Sequence, residues 1–557
     1  MKQLRWIYFS IIMVAACSPQ PDADTAQVEQ AETTPGQIYS SGMVSSAHPI
    51  ATEAGLTILG VGGNAFDAAV AIASTLNVVE PMMSGMGGYG TIMVYSADAG
   101  EAFYLDASGK IPVGVDPDAY RAPTPNYMEN RVGAKAVSTP GGSHAWEAMH
   151  KRYGSLEWSA LLRPAIQAAD NGYILDENIA RFIGFAFDQF SEYSKSIYGK
   201  DGKPLGAGDR LVQKDLANTL RILAADGPAA IYGGELGQAI DDAMKSAGGF
   251  LSMVDLENHE AEWWTPLHLN YRGHDIYTPS APAGAFPMLE KLGMMDLLNA
   301  ANMGHNSIEY LHTFAEVTKL TYWDRLAYSG DPDVTPPPYE KLMSTDYWQE
   351  RSGLIDTSEA RDFDYTGVVS ANSENTTHFV VADRWGNIVS ATVTLGGLFG
   401  SKIMPEGTGF WLNNSLRYCT FEPAGNPMDA HPGRRKLSSD SPTIILKDGR
   451  PIVALGTPGG HTITQAVSQM IMNLLDFNMS IEEAISAPRI AFIEPNRLAV
   501  EETIPEPVRQ QMVDMGHEVE VRNIGNANGL AIEYLDDGTV RFTGASDPRG
   551  AGLAKGL

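Results

Sequence analysis

The chain has 557 residues, 44% hydrophobic and 19% charged, enough apolar material for a large buried core and too much for a disordered chain. Its formal charge of -28 would be repelled by nucleic acid or an anionic bilayer surface, which argues against a phosphate-backbone partner. Length alone would allow three or four domains, yet no Pro/Ser-rich linker follows residue 40 and no internal repeat is found at any period.

Lys2 and Arg5, the apolar run from Trp6 to Ala16 and then Cys17 make an export signal over residues 1–17, too short to span a bilayer. Val14-Ala15-Ala16-Cys17 resembles a bacterial lipobox, in which the cysteine is lipidated and becomes the mature N-terminus. Ser18 after it, rather than Asp, resembles lipoproteins sorted to an outer membrane, so a periplasmic-side location is expected. The alternative is an ordinary secretory signal with an incidental cysteine. Residues 18–40 are polar and acidic without an apolar period and are expected to act as a flexible tether. With Cys17 lipidated, Cys419 has no intrachain partner; no structural disulfide is expected, and Cys419 reads as a buried bystander thiol.

The folded part begins near Ser41. Glu53–Leu59 reads as a helix, a glycine turn follows, and Asn64 caps a second, Ala-rich and buried helix over Ala65–Asn77. Helical spacing returns over 142–153, 158–171, 212–226, 234–247, 288–301, 307–328 and 462–477. Strand-like runs cover 91–96, 102–105, 377–382, 388–394, 443–446, 452–455 and 530–534. Helices dominate the first two thirds and strands the last, which suits sheets sandwiched between helix layers.

The motif Gly85-Met86-Gly87-Gly88-Tyr89-Gly90 formally fits a dinucleotide fingerprint, but a helix precedes it and a strand follows, the reverse of what a pyrophosphate site needs. A tight backbone turn accounts for it better. HExxH, CxxC, Walker and GxSxG patterns are absent from the sequence, and nothing in it calls for a metal or cofactor. His144 and His150 are six apart, off one helical face, and read as satisfied histidines.

Residues 376–383 and 388–394 alternate on either side of a polar turn centred near 385, so they form a hairpin in which Thr376 and Thr394 are directly opposite. If the chain is cut between Asn375 and Thr376, the freed amine becomes a base beside the Thr376 hydroxyl, and Thr394 can orient it. On the hairpin alone, two β-branched residues chosen for strand propensity explain the pair as well. Further on, Gly456-Thr457-Pro458-Gly459-Gly460-His461 joins a strand to a helix start, where backbone N–H groups can hold an oxyanion. Ser438 and Ser439 follow Arg434-Arg435-Lys436-Leu437 and add hydroxyls near positive charge.

Taken together, 48–71, 78–90, 152–173, 324–333, 376–387, 437–443, 456–463 and 546–552 resemble the γ-glutamyltransferase family in the right order from about Ser46 to Gly552. The resemblance implies an α+β, four-layer αββα N-terminal-nucleophile sandwich, cut before Thr376 into a large subunit (folded part 41–375) and a small one (376–557). It implies Thr376 as nucleophile, Thr394 as its hydroxyl partner, the Gly459 and Gly460 amides as oxyanion hole, and Ser438 and Ser439 holding a substrate carboxylate. Its substrates would be small amides, with water or an amine as acceptor. The family's carboxylate-clamping arginine aligns with Ser108, and groups that hold the α-ammonium become Ser415 and Tyr418. A bidentate guanidinium is thereby lost, and an open, tyrosine-lined pocket for a larger or less charged acyl group is expected, as in related cephalosporin-type acylases. The alternatives are ordinary glutathione hydrolysis or transfer, and a catalytically dead surface-binding lipoprotein.

Overall fold

A computed structural model describes residues 39–121, 129–362 and 375–557; Cys17 and the export signal lie outside them. Thirteen strands form the two largest sheets among the described residues: β1 (Gly42–Ser46), β2 (Tyr89–Ser96), β3 (Glu101–Asp106), β4 (Glu262–Trp264), β5 (Leu267–Tyr271), β6 (His274–Thr278), β7 (Thr377–Asp383), β8 (Ile388–Thr394), β9 (Thr443–Lys447), β10 (Arg450–Gly456), β11 (Asn528–Tyr534), β12 (Val540–Ser546) and β13 (Leu553–Gly556). The first sheet runs β13-β1-β7-β8-β2-β3-β4 and the second β12-β11-β10-β9-β6-β5, antiparallel throughout.

Side-chain alternation sets the layers. On β7, Val380 and Ala382 pack with Ile444, Ala454 and Leu530 of the second sheet, whereas Phe379 and Val381 point the other way into a helical layer. That layer begins with α1 (Pro49–Gly60) and α2 (Ala65–Val79). All fifteen residues of α2 are buried, since its small side chains let it lie close on the sheet. Asn64 starts it with a capping box, its Oδ1 accepting from the Phe66 and Asp67 amides while Asp67 accepts from the Asn64 amide. The outer face of the second sheet packs, through Ile276, Ile445, Val453 and Leu455, on α3 (Phe286–Leu297), α4 (Ile308–Tyr328) and α5 (Ile463–Leu475). The result is the expected αββα sandwich.

The helix expected over 158–171 divides into Trp158–Leu161 and Arg163–Asn171. Pro164 lacks the N–H a continuous helix needs and sits in the first turn of the second piece. The glycines of 85–90 serve close approach: a Cβ on Gly87 would lie 2.1 Å from the Trp411 carbonyl oxygen, and one on Gly88 2.4 Å from that of Thr394.

Candidate active site

The β7–β8 register pairs Thr377 with Val393 through Ala382 with Ile388, and one further step brings Thr376 opposite Thr394. Asp383 closes the hairpin, its Oδ1 accepting from the Trp385 and Asn387 amides. Both threonines are buried, and their hydroxyls meet: Thr376 Oγ1 donates to Thr394 Oγ1 at 3.1 Å. Thr394 Oγ1 in turn donates to the Asn375 carbonyl at 2.8 Å and accepts from the Gly396 amide at 2.8 Å.

A cavity of about 280 Å³ opens on this point, with Asn375, Thr376, Gly459, Glu80, His48 and Arg522 in its walls. Gly459 and Gly460 take φ of 142° and 61°, the left-handed side that glycine tolerates, as the chain turns from β10 into α5. The Gly459 carbonyl is taken by Thr462, but among the described residues neither the Gly459 nor the Gly460 amide has an acceptor. Glu80 accepts from Thr377 Oγ1 at 2.7 Å; burial pushes its carboxyl up to about 7. Burial likewise pushes His48 down to about 4, so it is neutral at physiological pH.

Ser108, Ser415, Tyr418, Ser438 and Ser439 are not among the walls of this cavity. Ser108 is spent on its neighbour, its amide and hydroxyl donating to Asp106 at 3.0 and 2.9 Å. Ser415 hydrogen-bonds Ser138 through its hydroxyl and Asn413 through its amide. Tyr418 is buried, only 8% exposed, so it does not line an open pocket. Ser439 Oγ accepts from Arg325 at 3.1 Å, and Ser438 Oγ accepts from the Asp440 amide at 3.4 Å while its hydroxyl bonds the Asp440 carboxylate. Cys419 is buried and its thiol pushed up to about 12, a bystander's environment.

Sequence reasoning passed over Glu80, Tyr89, Lys436 and Asp440. In the sequence Lys436 stands only as nearby charge and Tyr89 as part of a glycine turn; Glu80 carries the one local signal, an ionisable residue inside an otherwise apolar segment. It also passed over His312, Glu316 and His517, whose ligand atoms lie within 4.8 Å of one another. These are mutually satisfied: His312 bonds His517 at 2.9 Å and the Asp356 carbonyl at 2.8 Å, and Glu316 takes Lys319 at 2.6 Å and the Arg361 amide at 3.1 Å. The cluster ties down 356–361, and Lys319 already takes the Glu316 carboxylate.

The family model described as Gamma-glutamyltranspeptidase matches residues 51–557. The chain is 33% identical to the glutathione hydrolase proenzyme of Bacillus subtilis (strain 168), over 98% of this chain and 97% of that protein. It is 36% identical to the Acylase ACY 1 proenzyme of Pseudomonas sp. (strain SE83), over 91% and 92%. Among solved structures, the cephalosporin acylase from Bacillus halodurans superposes with a TM-score of 0.84 at 27% identity, covering 98% of this chain and 99% of that one. The chain therefore belongs to the γ-glutamyltranspeptidase family, as a self-processed N-terminal-nucleophile hydrolase or acyltransferase.

Proposed function

We propose that Thr376 is the nucleophile, exposed when the chain cuts itself after Asn375, and that the mature enzyme moves the acyl group of a small amide to water or an amine. One observation carries this reading: a single hydroxyl, Thr394 Oγ1, both polarises the Asn375 carbonyl and receives the hydroxyl of the residue that follows it. In self-cleavage Thr376 Oγ1 attacks the Asn375 carbonyl carbon and the C–N bond breaks. The hydroxyl proton passes to the departing nitrogen, leaving an ester and a free amine. Water then hydrolyses the ester, restoring the Thr376 hydroxyl and leaving Asn375 as a carboxylate.

In turnover the new amine, with an ordinary pKa of about 7.7–8.0, takes the Thr376 proton and delivers it to the leaving amine. The unoccupied Gly459 and Gly460 amides receive the oxyanion, an arrangement worth about 3–4 kcal/mol of barrier lowering. Residues 41–375 and 376–557 become the folded parts of the large and small subunits. Because Ser108 stands where the family's arginine would, the acyl head group is held by other residues.

Denaturing electrophoresis with N-terminal sequencing tests the reading: purified protein should run as two fragments, the smaller beginning at Thr376, and Thr376→Ala should remain one inactive chain. Active, uncut protein would overturn it. The lipobox-like run supports anchoring through Cys17 on the periplasmic side of an outer membrane; fatty-acid labelling lost in Cys17→Ala would bear this out.

A further inference from the structure

The head of β7 fixes where the new amine would stand. Asp383 donates to the Asn387 carbonyl, and the ladder from there turns the amides of odd residues toward β8 and those of even residues toward β1. β1 ends at Ser46, opposite Phe379, so the Thr376 nitrogen points past that end, and among the described residues its N–H has no acceptor. Ala47 and His48, which continue the chain from β1, are walls of the cavity together with Thr376 and Glu80.

Side-chain alternation sends Thr377 to the helical side of the sheet, where its hydroxyl donates to Glu80 Oε2 at 2.7 Å. From that carboxylate through Thr377 Oγ1 to the Thr376 nitrogen, standard bond lengths allow no more than about 10 Å. Of the other ionisable walls, Asp176 accepts from the Ile179 amide and adds negative charge beside Glu80. Arg181 donates to Asn178, Arg549 is held by Glu501 and Asp547, and Arg522 lies 3.8 Å from Glu520. His48 is neutral, as is nearby Tyr173, whose hydroxyl donates to the Val79 carbonyl.

We propose that Glu80 is a positioning residue for the base: its carboxylate, tethered by Thr377, lies beside the ammonium that cutting creates and sets the pH at which that ammonium releases its proton. The assignment rests on the Thr376 reading. An anion stabilises a neighbouring cation, so the ammonium keeps its proton to a higher pH than it would beside a neutral side chain. In return the ammonium holds Glu80 ionised, against the burial that keeps this carboxyl protonated up to about pH 7 in the uncut chain. The ammonium proton goes to solvent, and the freed amine then takes the Thr376 hydroxyl proton as the acyl group is attacked. In acid the processed enzyme is therefore cut but idle, and it switches on as the amine titrates.

The acid limb of kcat/KM against pH, measured on processed enzyme with γ-glutamyl- or glutaryl-anilide, reads this amine; ionisations of the substrate cancel between variants. Glu80→Gln still offers Thr377 an acceptor but carries no charge. Its limb should move about 0.5–1 pH unit lower, the size for one charge at this range partly screened by water. Relative to its own plateau, Glu80→Gln should then outpace wild type by about 3- to 10-fold well below the limb. Glu80→Asp keeps the charge and should keep the wild-type limb. Coincident limbs for wild type and Glu80→Gln, or an upward shift, would overturn the assignment. Should Glu80→Gln and Glu80→Ala both stay uncut, the residue serves the cut itself and the assignment falls too. Failure of the Thr376 reading shows separately, as a wild-type chain that never splits.

Discussion

Replacing Thr394 by valine keeps its shape and removes one oxygen, the oxygen that serves three partners in the uncut chain: Thr376 Oγ1 at 3.1 Å, the Gly396 amide at 2.8 Å and the Asn375 carbonyl at 2.8 Å. Two costs follow. The buried Gly396 amide loses its acceptor, which lowers stability by about 1–3 kcal/mol. The Asn375 carbonyl loses the donor that would stabilise the developing oxyanion, and removal of one such donor slows acyl chemistry by about 10²–10³-fold. Thr394→Val should therefore fold, melt somewhat lower, and accumulate as uncut precursor whose band decays 10²–10³-fold more slowly than wild type in a time course on denaturing gels. Thr394→Ser restores the oxygen and should process within about tenfold of wild type, a range smaller than the loss of one donor. A valine variant that processes at the wild-type rate would refute the idea that this hydroxyl polarises the scissile carbonyl.

Glu80 gives a pH prediction. Its folded pKa of about 7 lies above the ordinary 4.5, so the folded state binds this proton more tightly; the associated stability is full below 4.5 and is lost as pH rises through 7. Glu80→Gln, which still offers Thr377 an acceptor, should flatten the melting temperature between pH 5 and 8, removing a slope worth about 3 kcal/mol; identical slopes would contradict the burial argument. Gly88→Ala places a Cβ 2.4 Å from the Thr394 carbonyl oxygen and must displace the end of β8 that positions Thr394 against Thr376. It should destabilise by about 1–3 kcal/mol and block processing, as read by calorimetry and the fragment pattern. Cys419→Ala should keep anilide turnover, and iodoacetamide should not inactivate the wild type at pH 8, because a buried thiol pushed up to about 12 holds almost no thiolate there.

Much of this site was legible because it is local. The β7–β8 hairpin states its own register, and the structure places Thr376 opposite Thr394 as counting from the turn requires. The Gly142–Tyr153 helix and the Ile388–Thr394 strand lie where their periodicity puts them. Less legible was β5–β6: Leu267, Leu269 and Tyr271 alternate with polar residues, but the turn is built by Arg272 and Gly273 at φ of 54° and 73°, and arginine is not a residue that announces a left-handed turn. Lys436 and Asp440 were illegible for a different reason. Lys436 meets the Tyr89 ring through a contact 347 positions apart in the chain, a distance no local pattern records.

The sheet order explains why the proposed cut after Asn375 would expose an active site instead of taking the protein apart. Strands from before the cut pair with strands from after it in both sheets: β1 lies between β13 and β7, β2 against β8, and β6 against β9. Breaking the bond at 375–376 opens none of these ladders, so Thr376 stays at the head of β7, a central strand held by β1 on one side and β8 on the other. The same arrangement orders events in time. On the proposed mechanism attack on Asn375 needs Thr394, which reaches Thr376 only after the hairpin has closed, and the hairpin is seated between β1 and β2. A chain that has not folded lacks the hydroxyl pair and cannot cut itself; one that has folded gains its base at a point already fixed by hydrogen bonds on both sides. Self-cleavage thus acts as a chemical check on the fold, and the preorganisation that performs the first acyl transfer, on the protein's own backbone, is inherited by every later one.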